Sequence, residues 1–239
     1  MEFGTLLDDS FRYTKVGILC NINRWAGLII AIICLGIPMN GYVMRIYRGT
    51  PAAPDVDRWG TLFIDGLKLV IVGLVYAIPI MIVWAFIYGS MFVTMAQGNM
   101  EAPGNWEPNM ALVLLMYAVE IAVGIIMPIA SIRFARSDSF TEAFNLGAIV
   151  DTIGKIGWIN YLIALILLTL VIGIPVFLLV FGIIIVGGAG LYLIVGGKAE
   201  LLFGIASLLI LAMIILSPLF AVFQARYLTR VYESAEPAE

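Results

Sequence analysis

Glu120 is the side chain best placed for chemistry. It lies near the middle of Met110–Ile132, an apolar run that carries no other charge. An acid at the centre of a bilayer costs about 2.5–3.5 kcal/mol on insertion scales. Two roles are open to it. It could handle a proton or a cation, or it could be a neutral acid hydrogen-bonded to Tyr117, to Tyr76 or to a carbonyl freed by a proline. A transport pathway needs several polar groups inside the apolar runs, and the sequence offers few: Glu120, Asn40, Asn160 and Thr169. Glu120, Asn40 and Asn160 form the candidate intramembrane polar site.

Other chemistry lacks its residues. There is no histidine, which removes the imidazole proton shuttle and the usual zinc and bis-imidazole haem sites. Cys20 and Cys34 are too few and wrongly spaced for a Cys-rich metal site, and no disulfide is expected of them. No GxSxG or HExxH occurs. Gly187-Gly188-Ala189-Gly190 lacks the Gly-Lys-Ser/Thr that completes a phosphate-binding loop. The expectation is a non-enzymatic protein with no catalytic residue, cofactor or metal. A net charge of −3 without a basic patch excludes a nucleic-acid partner.

The elements around these residues belong to a membrane. Hydrophobic residues make up 62 % of the 239 and charged ones 12 %, against roughly 45–50 % and about 25 % in a soluble domain. The fold class expected is all-α and polytopic: four to six membrane helices plus amphipathic helices lying in the interface. Residues 1–24 read as the first in-plane helix, with Phe3, Leu6, Leu7 and Phe11 on one side. Glu2, Asp8 and Asp9 stand where a signal peptide would be basic, so no cleavable signal is expected. Trp25–Met44 is an apolar run interrupted by Gly36, Pro38, Asn40 and Gly41.

Trp59, Leu62, Phe63, Gly66 and Leu67 make an apolar stripe at helical spacing, opposite Asp57, Arg58, Thr61, Asp65 and Lys68. That segment should lie in the interface, with Asp65 and Lys68 pairing at i, i+3. Leu69–Val93 then carries no charge over 25 residues, enough to cross a ~30 Å core. Ser139 and Glu142 have capping-box spacing and should open another in-plane helix over Phe140–Ile156. From Trp158 the chain is uncharged up to Lys198. This reads as one span to about Val186 kinked at Pro175, a Gly-rich turn and a short segment Leu191–Val195. Leu201–Phe223 is the last span. Pro38, Pro79, Pro128, Pro175 and Pro218 put a proline in each long apolar run, where each removes an amide donor.

Some features recur. Asp9-Ser10-Phe11 precedes Trp25 as Asp138-Ser139-Phe140 precedes Trp158. Tyr42-Val-Met-Arg45-Ile-Tyr47 matches Tyr227-Leu-Thr-Arg230-Val-Tyr232. They suggest an internal duplication, 1–136 against 137–239, within one membrane domain. Tyr42, Arg45, Trp59, Asp65, Lys68, Tyr227 and Arg230 are the interfacial motif residues. By the positive-inside rule, nine of the thirteen basic residues share one side if Trp25–Met44 crosses fully, as its length allows, and twelve do if it enters and returns as a hairpin, which the charge count favours. The basic loops and C terminus are then cytoplasmic, in the cell membrane.

The string WGTLFIDGLKLVIVGLVYAIP, preceded by GYVMRIYRG, resembles an uncharacterised family of archaeal and bacterial multi-pass membrane proteins, the domain of unknown function DUF4013. Arg133-Phe-Ala-Arg136 followed by Ala143-Phe144 is similar to the start of that family's second half. The resemblance implies fold and location and brings no activity or functional residues. The function expected is an integral membrane scaffold or assembly subunit, in contact with lipid and forming a homo-oligomer or part of a complex. The alternative is a channel or secondary transporter using Glu120 and the proline-kinked helices.

Overall fold

The computed structural model describes residues 2–98, 108–187 and 199–235. Every regular element among them is helical. The chain is an all-α membrane protein: four helices are long and apolar enough to span a bilayer, and five if the bent pair Phe3–Leu19 and Ile22–Ile33 is one broken span. In chain order α1 is Phe3–Thr14, continued by a π-helical turn at Lys15–Leu19. Then come α2 (Ile22–Ile33), α3 (Ile37–Tyr47), α4 (Trp59–Ala96) and α5 (Met110–Ser137). After these follow α6 (Phe140–Ala143), α7 (Leu146–Ile156), α8 (Trp158–Gly182, then a π-helical turn at Ile183–Gly187) and α9 (Ala199–Glu233).

The run Trp25–Met44 does not form one helix. Leu35 and Gly36 take left-handed conformations at φ 60° and 68°, which break it into α2 and α3. At ~1.5 Å per residue these are only about 18 and 17 Å long, too short to cross singly. Pro38 lies in the first turn of α3, where its missing N–H costs nothing; it is not the mid-span kink expected of it. The other four prolines are inside helices.

Two in-plane helices differ from expectation. Trp59–Lys68 is not a separate interfacial helix but the first turns of α4, which runs 38 residues without a break. Its polar face is tied to other segments at two points, Arg45 to Thr61 at 3.1 Å and Arg48 to Asp65 at 2.7 Å, while Asp57, Arg58 and Thr61 stay exposed. The expected Asp65–Lys68 pair does not form, because Lys68 turns to Asp138 at 2.9 Å. Nor does the Ser139–Glu142 capping box. Glu142 is drawn to Arg133, so the longer helix starts only at Asn145, whose side chain accepts from the Ala148 N–H at 3.2 Å. The Gly-rich turn beyond Gly187, the segment Leu191–Val195 and the acids Glu101 and Glu107 lie outside the described residues.

The core sits at one end of the bundle. There α3 packs along α4 so closely that a Cβ on Gly41 would strike the Leu62 carbonyl, and one on Gly66 the Ile37 carbonyl. Small residues permit such backbone contact. Tyr42 and Tyr227, expected at the interface, are fully buried in this core. Both are hydrophobic-core residues with polar tips: Tyr42 donates to the Pro54 carbonyl at 2.9 Å, and Tyr227 stacks on Phe223.

Candidate functional site

The polar chemistry of the chain gathers where α3, α5 and α9 end. Helix C-termini leave carbonyls without intrahelical donors and carry a partial negative charge, so arginines in the last turns suit them. Two arginine pairs, Arg45/Arg48 on α3 and Arg133/Arg136 on α5, divide the work in the same way. The first of each pair fastens the segment that follows its own helix. Arg45 holds Asp57 at 2.6 Å and the Asp57 carbonyl at 2.9 Å. Arg133 holds Glu142, with Thr152 at 3.4 Å.

The second arginine of each pair crosses to the other helix. Arg48 donates to the Ala135 carbonyl and Arg136 to the Tyr47 carbonyl, both at 3.2 Å. Helix α9 joins through Glu233, which accepts from Arg136 at 2.8 Å, and through Tyr232, whose ring lies 4.7 Å beneath the Arg136 guanidinium. Arg226, almost fully buried, donates to Asp9 at 2.7 Å and to the Thr50 carbonyl at 3.1 Å. It also stacks on Tyr13. Arg24 closes the side with the Gly17 carbonyl and Asp55.

Electrostatics follow the contacts. Burial pushes the Asp9 carboxyl up, but the Arg226 hydrogen bond and the charges of Arg226, Arg230 and Arg12 outweigh it and leave it below its ordinary 3.8. Arg133, assisted by Asn145, lowers Glu142. Such carboxylates stay ionised and paired. The cluster fastens α3, α5 and α9 to one another.

The expected intramembrane polar site is not brought together. Asn40 donates to its own helix at the Gly36 carbonyl, 3.1 Å away, and Asn160 to the Ile156 carbonyl at 3.4 Å. Thr169 likewise turns back to Leu165. Glu120 is exposed on α5, and among the described residues no hydrogen bond or ion pair reaches it. Tyr76, one of its expected partners, donates to the Ala143 carbonyl at 2.6 Å. Of the remaining interfacial residues, Trp59 is partly exposed and Arg230 pairs with Glu233 and Asp9.

Cross-helix donors sit beside two of the prolines inside helices. Pro218 deprives the Ile214 carbonyl of its donor; Ser217 Oγ approaches that carbonyl at 3.4 Å and the Trp25 indole donates to the next one, Ile215, at 2.9 Å. Beside Pro128 the Tyr161 hydroxyl donates to the Ile125 carbonyl at 2.6 Å. At both prolines a carbonyl of the preceding turn is thus held from a neighbouring helix.

Sequence reasoning missed the division of labour between the arginines. The signal was present: Arg45-Ile-Tyr-Arg48-Gly49 and Arg133-Phe-Ala-Arg136-Ser137 share spacing and a small following residue. Arg24, Asp9 and Arg226 carry no local signal, since their partners are remote in sequence.

Comparison with known proteins finds a match between residues 25–186 and the family model described as protein of unknown function DUF4013. No curated protein and no solved structure matches the chain.

Proposed function

The chain belongs to the DUF4013 family, and from that premise we propose that it is a non-enzymatic assembly subunit of the cell membrane, with its arginine-rich end and C terminus in the cytoplasm. One observation carries this. No residue in the most apolar stretch of α5 is fully buried within the chain, and Glu120 lies on the exposed side of that stretch. An acid facing lipid at mid-span is costly, and a protein surface covering it relieves the cost. A second copy or another membrane protein is therefore the natural neighbour of α5. The local pairing of Asn40, Asn160 and Thr169 supports the same reading, because it leaves no row of free polar groups for a conduit among the described residues.

The test replaces Cys20 and Cys34 by serine, adds a cysteine at Ile121 beside Glu120, and oxidises the protein in its native membrane. A cross-linked species is expected. In parallel, proteoliposomes of the wild type are assayed for proton and alkali-cation flux. Flux in the wild type that disappears in Glu120→Gln, together with an uncross-linked Ile121 variant, replaces the assembly reading with transport.

A further inference from the structure

A groove of about 580 Å³ runs between the α1 segment, α8 and α9. Its floor is apolar: Phe11 and Leu19 from the α1 side, Val171 and Pro175 from α8, Leu219 and Phe223 from α9. Its mouth carries Arg12, Lys15 and one acid, Asp8, a net charge of +1. The volume falls in the range of ordinary small-molecule sites, roughly 300–1,000 Å³. Beside the groove, α9 passes from polar to apolar contacts. On α9 the buried Arg226 holds Asp9 at 2.7 Å, and one turn away Phe223 meets Phe11 with ring centroids 4.6 Å apart.

The two cations at the mouth differ from most of the arginines at this end. Arg24, Arg45, Arg48, Arg136 and Arg226 each have a carboxylate oxygen within 2.6–2.8 Å. The Arg12 side chain is 74 % exposed, and its nearest carboxylate, Asp9, is 3.8 Å off and already engaged by Arg226. Lys15 is exposed, and among the described residues no carboxylate pairs with it. Uncommitted positive charge above an apolar trough matches a molecule with an anionic head and a hydrocarbon tail.

We infer that this groove is a binding site for an anionic phospholipid, with one acyl chain against Val171, Pro175 and Leu219 and the phosphate held by Arg12 and Lys15. A soluble phosphate would use the cations and leave the apolar floor to water. A zwitterionic lipid would fill the floor but bring a cationic amine close to two cations. The site is independent of Glu120 and of the assembly reading, since it lies among α1, α8 and α9.

The test uses the full chain purified in detergent, with phosphatidylglycerol and phosphatidylcholine as probes and native mass spectrometry as the readout of lipid retained. One phosphatidylglycerol is expected to be retained in preference to phosphatidylcholine. Arg12→Gln/Lys15→Gln should reduce that preference by about tenfold or more, given the attraction of each basic residue for anionic lipid. Both side chains are exposed, so the fold should survive, and circular dichroism checks it. Arg58→Gln removes an exposed charge away from the groove and should leave the preference unchanged. A phosphatidylglycerol analogue with a diazirine in its acyl chain should label peptides containing Val171–Pro175 or Leu219–Phe223. The inference is overturned by an equal loss with Arg58→Gln, by labelling confined to other helices, or by displacement of the lipid with inorganic phosphate.

Discussion

Arg48 and Arg136 make the same contact with each other's helix: each guanidinium donates, at 3.2 Å, to the carbonyl of the residue immediately before the other arginine. The exchange caps the ends of α3 and α5 at once. It places two cations where two helix dipoles are negative, and carboxylates at Asp65 and Glu233 offset their mutual repulsion.

A reciprocal clasp of this kind should be cooperative. Arg136→Ala is expected to destabilise the protein by about 1.5–3 kcal/mol, the scale of a hydrogen bond to a charged group. Arg136→Lys should recover only part of that, because an ammonium cannot serve the Tyr47 carbonyl, Glu233 and the Tyr232 ring together. Thermal unfolding in detergent of Arg48→Ala, Arg136→Ala and the double variant should give a coupling energy clearly above zero. Strict additivity would show the two contacts to be independent.

Gly41 supports a different kind of prediction. Its Cα hydrogen faces the Leu62 carbonyl with no room for a methyl group, so Gly41→Ala must push α3 away from α4. A loss of about 1–3 kcal/mol is expected. Gly60→Ala, where nothing lies within 4 Å, is the control. A Gly41→Ala variant as stable as the control would contradict the packing described.

The lowered carboxyl pKa values set the acid limit of the fold. Asp9 and Glu142 titrate below their ordinary 3.8 and 4.5. Their contribution is therefore complete above those values and is lost as pH falls through the lower, folded ones. The melting temperature should hold steady down to about pH 5 and drop on the acid side of about pH 4. Asp9→Asn should lower the plateau and shallow the acid slope. An unchanged slope would mean that the Arg226 pairing is not what holds Asp9 ionised.

Hydropathy made the long spans legible, because an uncharged run such as Leu69–Val93 has few alternatives to a membrane helix. What it could not convey was which partners the polar face of such a helix takes. The stripe opposite Asp65 and Lys68 looks amphipathic for the same reason an interfacial helix does. Only the remote Arg48 and Asp138 decide that Asp65 and Lys68 pair with other segments and not with each other. Glu142 shows the reverse problem: its spacing from Ser139 fits a cap, and a stronger competitor nine residues earlier, Arg133, takes it. Glu120 could be picked out as an isolated acid, but its outward aspect on α5 depends on how α4 and α5 pack.

The ion pair between Asp9 and Arg226 joins residues 217 positions apart, and this bears on how the chain is made. Synthesis proceeds from the N terminus, so α1 leaves the ribosome long before its partner exists. Until α9 is complete, Asp9 and the carbonyl of Thr50, which accepts from Arg226, must be satisfied by water or headgroups. The arginine-rich end is therefore a late closure: α9 on emerging locks α1 down, and a nascent chain stopped short of Arg226 exposes an open, acid-bearing α1 to whatever machinery surveys unfinished membrane proteins.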